Sequence, residues 1–176
     1  MEILYDNYTE KIDMGIGTRV EIDFIDVLES NEGILVGDTA HGYVCVLAEN
    51  RETDTYPPRP FRVNAGAIHQ YIYIGDSKTK YLSELKAGDS VYVTDGTSNR
   101  QVTIGRIKIE KREFTRIVFH SGISATLQKA DSIFLAGENE PVHFLDINDD
   151  SKIGVFPDQN IARHKGEIIE EDIIEK

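Results

Sequence analysis

Arg59-Pro60-Phe61-Arg62-Val63-Asn64-Ala65-Gly66-Ala67-Ile68-His69-Gln70-Tyr71 concentrates the groups best able to hold an anion. It carries two guanidiniums, an amide and an imidazole beside a glycine, and no acid, in a chain with 31 acidic and 19 basic residues. Pro57, Pro58 and Pro60 fix φ and push the residues before them towards extended geometry, so both arginines start from a restrained backbone. Each guanidinium fork matches a carboxylate or phosphate, and Gly66 permits a positive φ or a close approach of backbone to ligand. Two readings stand: an oxyanion site, or arginines paired with the chain's own carboxylates.

Two further basic islands follow. In Gly105-Arg106-Ile107-Lys108-Ile109-Glu110-Lys111-Arg112, strand alternation puts Arg106, Lys108, Glu110 and Arg112 on one face and Ile107 and Ile109 on the other. That face is either solvated or, if Arg106 and Lys108 gather with Arg59 and Arg62, a binding surface. Asn160 to Gly166 presents Arg163 and His164 before an acidic tail. The five histidines, at positions 41, 69, 120, 143 and 164, are too far apart for a local metal motif, and His69 and His164 stand out because basic residues accompany them. Glu49 closes the run Tyr43 to Leu47 and could orient an arginine or act as an acid or base. Asp149 and Asp150 read as turn chemistry, and Cys45, alone and within an apolar run, as a buried structural thiol.

The elements that position these groups read as strands. Met14 to Ile22, Leu85 to Val93 and Ile147 to Val155 share a pattern of apolar residue, turn and alternating strand. Second strands follow at Ile34 to Gly37, Val102 to Gly105 and Ile161 to Gly166. Residues 1–13 read as an edge strand or lead-in, and Tyr71 to Ile74 as a strand before a turn at Gly75 to Lys78. Short helices are expected at Tyr81 to Leu85, with Ser83 as cap, at Leu28 to Gly33, at Ala125 to Ala130 and at the acidic end from Glu167. The expected fold is mainly β, a small barrel or sandwich of three turn-strand-strand units with few short helices. It forms a single domain over 1–176, with a subdivision near 75–80 left open.

A net charge of −12 argues against duplex DNA and anionic membranes as partners, though not against a small anion in a local pocket. The apolar runs are far short of a membrane span and no signal sequence opens the chain, so the expected location is cytoplasmic. Gly15 and Gly17 lack a third glycine and a following helix, which leaves a dinucleotide-binding turn unsupported.

Several segments resemble archaeal-type (type II) 3-dehydroquinate synthases. They are Met14-Gly15-Ile16-Gly17-Thr18-Arg19-Val20, Gly33 to Gly37, Arg59 to His69, Tyr81 to Asp89, Gly105 to Arg112, Leu127-Gln128, Ala162-Arg163-His164 and Ile173 to Lys176. They occur in the family's order over nearly the whole chain. The resemblance implies the C-terminal half of an enzyme that converts an amino-dideoxy-heptulosonate to 3-dehydroquinate by NAD-linked oxidative deamination and cyclisation. The N-terminal half is then a separate chain or lost, and the isolated chain inactive. Relatives that make 3-amino-4-hydroxybenzoate from a phosphorylated substrate imply a divalent metal instead. In either case Arg59, Arg62, Arg106, Lys108 and Arg163 would hold an anionic small molecule, Asn64 and Gly66 would shape the wall, and His69, His164 and Glu49 would move protons. The chain departs from the family at Thr18, at Glu113 and at Val44 to Leu47, where the usual run carries a histidine. The other class of function is a non-catalytic binding or assembly module, and homo-oligomer formation is left open.

Overall fold

In a computed structural model of the protein, the described residues are 2–158, 161–164, 167–170 and 174–176, with the side chains of 161–164 and 167–170 outside that set. The strands are β1 (Leu4–Asp6), β2 (Tyr8–Phe24), β3 (Gly33–Gly37), β4 (Gly42–Leu47), β5 (Arg62–Ala67), β6 (Tyr71–Gly75), β7 (Lys78–Tyr81) and β8 (Ser90–Thr94). They continue as β9 (Asn99–Phe119), β10 (Ser124–Gln128), β11 (Phe134–Leu135), β12 (Val142–His143), β13 (Ile153–Pro157), β14 (Ile161–His164) and β15 (Glu167–Glu170). The mainly β expectation holds. The strands make one branched antiparallel sheet along the path β1-β13-β4-β3-β8-β9-β2-β5. Its described ends do not pair, so the sheet stays open where a closed barrel was one expectation. Among the described residues β14 pairs only with β15.

Two of the three expected repeats are present. Leu82–Glu84 and Phe144–Asp146 are single 3₁₀ turns, followed by tight turns leading into β8 and β13. Leu82, Leu85 and Val91 are buried at the same spacing as Phe144, Ile147 and Ile153. β8 pairs with β3 and β13 with β4, and β3 and β4 pair with each other, so the copies flank a central hairpin. The first expected copy has no turn, because Met14 to Ile22 lies inside β2. Gly15 adopts φ 71° beside a register shift at Asp13/Gly15, a bulge that lets the strand run on against β9.

The other corrections concern helices. Ala125 to Ala130 contributes to strand β10, Leu28 to Glu32 is irregular with a turn at Ser30 and Asn31 before Gly33 opens β3, and Glu167–Glu170 is a strand. Leu127 and Ala125 are fully buried, and burial of a strand face outweighed the local helical reading. At Leu82–Glu84 the cap comes from the Glu84 carboxylate, which accepts the Tyr81 N–H at 2.9 Å, and not from Ser83. Lying inside β9, Ile109 is 56% exposed, so the face opposite the charged one is core only in part.

One core gathers Val20, Ile22, Ile34, Val36, Val44, Val63, Val91, Ile117 and Leu127, and a smaller aromatic cluster on the other side of the central hairpin holds Tyr43, Tyr73 and Phe156. Cys45 belongs to the second cluster, where burial pushes its thiol up to about 12 and leaves it unreactive.

Gly66 ties the basic stretch of β5 to β10. Its φ is +89°, and a Cβ there would lie 2.4 Å from the Thr126 carbonyl oxygen. Gly66→Ala is expected to cost about 3 kcal/mol through strain and overpacking. In a chain of this size that lowers Tm by roughly 10 °C in thermal unfolding.

Candidate functional site

Residues alternate faces along β2, and its C-terminal half is buried on both sides. Val20, Ile22 and Phe24 face the core, while Arg19, Glu21 and Asp23 lie on the other face and are also buried. In the register with β9, Arg19 lies opposite Glu110, Glu21 opposite Lys108 and Asp23 opposite Arg106. Each rung brings opposite charges together. β5 adds Arg62 opposite Asp23 and Asn64 opposite Glu21 on the other edge of β2.

Asp23 is the densest point. Arg62 grips it with Nε and Nη2 at 2.7 and 3.1 Å, and Arg106 Nε adds a bond at 2.9 Å. Burial alone would push the Asp23 carboxyl up, but the hydrogen bonds and charges of Arg62 and Arg106 outweigh it and hold the carboxyl below its usual range.

Next to this clamp lies a pocket of about 210 Å³ whose lining includes Arg19, Glu21, Glu49, Arg59, Arg62, Lys108, Glu110, Arg112, Gln128 and Asp131. The segment carrying Arg59 is fastened by backbone bonds, with Arg59 N–H donating to the Glu49 carbonyl at 2.6 Å and Glu49 N–H to the Arg62 carbonyl at 2.8 Å. Arg59 pairs with the Glu49 carboxylate at 2.9 Å and lies over the Tyr56 ring at 4.3 Å. Five cations meet four carboxylates in this lining, a surplus of one positive charge. Burial, followed by the charge of Glu21, pushes Glu49 up despite Arg59 and Arg62. Arg19 is only 6% exposed, and the Nε atoms of Arg19 and Arg59 have no hydrogen-bond partner among the described residues, so a ligand oxygen would satisfy them.

The expected site residues divide between places. Arg59, Arg62, Lys108 and Glu49 converge on the pocket. Arg106 sits outside it on the far side of Asp23, its side chain 62% exposed. Asn64 lies behind the lining and donates to Gln128 Oε1 at 2.8 Å, which also accepts from Arg19 at 2.9 Å. Gly66 is packed against β10 and is not part of the wall. His69 lines a different cavity, with Asp38, His41 and Arg116. Arg163 and His164 are on β14, and their side chains lie outside the described residues.

A family profile described as the 3-dehydroquinate synthase II C-terminal domain matches residues 7–176. The chain belongs to this family. Among curated relatives named 3-dehydroquinate synthase, one from Methanococcus maripaludis strain S2 is 42% identical over 98% of this chain and 49% of its own length. One from Methanococcus vannielii is 44% identical over 93% and 46%, and one from Methanosarcina mazei is 42% identical over 93% and 44%. The chain thus spans about half the length of the curated relatives it matches. No solved structure gives a significant match.

The 3-dehydroquinate synthase II resemblance brings NAD and a divalent metal into question, and the described residues fit neither. The only helical segments among them are the two three-residue 3₁₀ turns, so no helix N-terminus is present to take a pyrophosphate. The arginine pocket, at about 210 Å³, has room for the carboxylate end of a small substrate but not for a dinucleotide, since whole-ligand sites run to about 300–1,000 Å³. Among the described residues no three His, Cys, Asp or Glu side chains gather as a metal ion needs.

Sequence reasoning missed Arg19, Glu21, Asp23 and Gln128 in this site, and Asp38, His41 and Arg116 in the other cavity. The signal for the first group was available in the charge order of residues 19, 21 and 23, which is the complement of 110, 108 and 106. The second group comes from the turn between β3 and β4 and from β9, far apart in the chain and with no local pattern.

Asp23, Asp38 and Glu32 all have lowered carboxyl pKa values, so the stability they supply is present above the unfolded-state value and lost as pH falls through the folded one. Urea midpoints are expected to drop below about pH 4. Asp23→Asn leaves the buried Arg62 with only the longer contact to Glu21, at 3.4 Å, and is expected to cost about 3 kcal/mol at neutral pH. The variant's deficit should shrink in acid, where the parent carboxylate is itself protonated.

Proposed function

We propose that this chain is the substrate-gripping half of a 3-dehydroquinate synthase II, acting with the N-terminal half of that enzyme on an amino-dideoxy-heptulosonate. Support comes from one observation above all: Arg19, Arg59, Arg62 and Lys108 line one pocket with Glu49, a carboxyl pushed up by burial. Guanidiniums and an ammonium hold the substrate carboxylate, and Glu49 exchanges a proton with the substrate as a general acid or base. Protonation of Glu49 raises the surplus charge of the pocket from one to two, so anion binding and proton uptake reinforce each other. Whatever NAD the oxidative step uses is held by the other half.

A binding or assembly module without chemistry is the second reading. It is favoured by the carboxylate within ion-pair distance of each of Arg19, Arg59, Arg62 and Lys108.

The test mixes the chain with a separately produced N-terminal half of a family member, the amino-dideoxy-heptulosonate and NAD, and measures 3-dehydroquinate. Product is expected only in the complete mixture. Glu49→Gln should lower kcat by about 100-fold or more at unchanged fold and remove the acidic limb of the pH profile. Arg59→Ala should act mainly on KM, raising it about tenfold or more. An inactive complete mixture in which the halves still bind each other would select the module.

A further inference from the structure

Outside the arginine pocket, the strongest constellation is the cavity of about 450 Å³ lined by Asp38, Thr39, His41, His69, Arg116, Ser124 and Glu175. Ser124 and Gln128 lie on one face of β10 and open on different cavities. Four residues of strand separate them by roughly 13 Å, so the two cavities serve different ligand groups.

Asp38 is buried at the heart of this cavity. His69 Nε2 lies 2.7 Å from its Oδ1, Thr126 Oγ1 donates to the same oxygen at 2.7 Å, and Arg116 Nε stands 3.1 Å from Oδ2. Burial pushes the Asp38 carboxyl up, but the bonds from His69 and Thr126 and the Arg116 charge hold it below the usual range. An ionised carboxylate only accepts, so His69 Nε2 carries the proton donated to Asp38 and the imidazole is fixed in orientation. The His69 side chain remains 46% exposed.

Glu175 forms part of the wall of this cavity. Its Oε1 accepts the Ala40 backbone N–H at 2.9 Å, in the turn between β3 and β4, and its Oε2 accepts the Tyr71 hydroxyl at 3.3 Å. Burial, then the hydrogen bond with Tyr81 and the charge of Glu175, push the Tyr71 hydroxyl up, so it stays a donor. The same cavity is lined by the His41 imidazole, 2.8 Å from Thr39 Oγ1, and by Arg116. A backbone N–H and a phenol aimed at one carboxylate, beside an oriented imidazole, make a receptor for a carboxylic acid.

We propose that this cavity is a second ligand site, for a small carboxylate, and that Glu175 at its wall engages the Ala40 and Tyr71 donors as an internal stand-in. The site owes nothing to the arginine pocket and stands whether or not that pocket is catalytic. An occupant tethered on the same chain lowers apparent affinity by the fraction of molecules left open. A place filled about nine-tenths of the time thus weakens an external ligand about tenfold.

Succinate titrated at constant ionic strength into the isotopically labelled full chain, read by NMR, tests this. In Glu175→Ala the Ala40 amide and the His69 ring signals should move together, with succinate bound about tenfold or more tighter than in the parent. Tyr71→Phe added to that variant removes one donor without disturbing Asp38, and should weaken succinate by about fivefold. Equal affinity in the parent and Glu175→Ala, an unmoved Ala40 amide, or shifts centred on Arg59 and Arg62 would each overturn the proposal.

Discussion

The site side of the sheet depends on a buried carboxylate held by two guanidiniums. Asp23 cannot be taken out of water without compensation, and Arg62 and Arg106 supply it from the two strands that flank β2. The clamp therefore does more than neutralise a charge. It locks β5, β2 and β9 in one register, since a slip by one residue would bring the charged rungs onto the core face and break every pair. With that register fixed, Arg19, Lys108 and Arg62 project towards the same small volume, and the loop carrying Arg59 only has to be fastened to Glu49 to complete it.

β10 has a related role between the two cavities. Its alternate residues Ser124, Thr126 and Gln128 give a polar row on one face, while Ala125 and Leu127 seal the core on the other. Thr126 serves Asp38 and Gln128 serves Arg19 and Asn64, so one short strand sets the position of both charged centres. Gly66 permits this arrangement, because a side chain there would hold β5 away from β10.

Much of the strand content was legible because alternation of apolar and polar residues reports burial of one face directly. The turns before β8 and β13 were legible for the same reason, each combining turn residues with an apolar residue at a fixed distance. The glycine pair at 15 and 17 was misleading: a glycine with positive φ serves a bulge as well as a turn, and only the unbroken pairing with β9 distinguishes the two. The arginines at 59 and 62 could be singled out by type and local contrast. Their grouping with Lys108, and the separation of His69 from them, follow from the strand order β9-β2-β5, which no local pattern in the chain encodes. Charge complementarity between residues 19 to 23 and 106 to 110 was present in the sequence but becomes informative only when the two segments are aligned in opposite directions.

The two copies around the central hairpin share a frame but have diverged in what they support. The earlier copy leads from β8 into β9, which has 21 residues and carries Arg106, Lys108, Glu110, Arg112 and Arg116. The later copy gives β13, which pairs beyond β4 with the three residues of β1 and, by a single bridge, with Gly137, and brings none of these groups. Internal symmetry thus furnishes a stable platform from both copies, while a single overgrown arm on one of them bears the ionic chemistry. Such an asymmetric duplication separates the demands of folding from those of recognition, leaving the plain copy as ballast and the elaborated one as the part on which specificity can change.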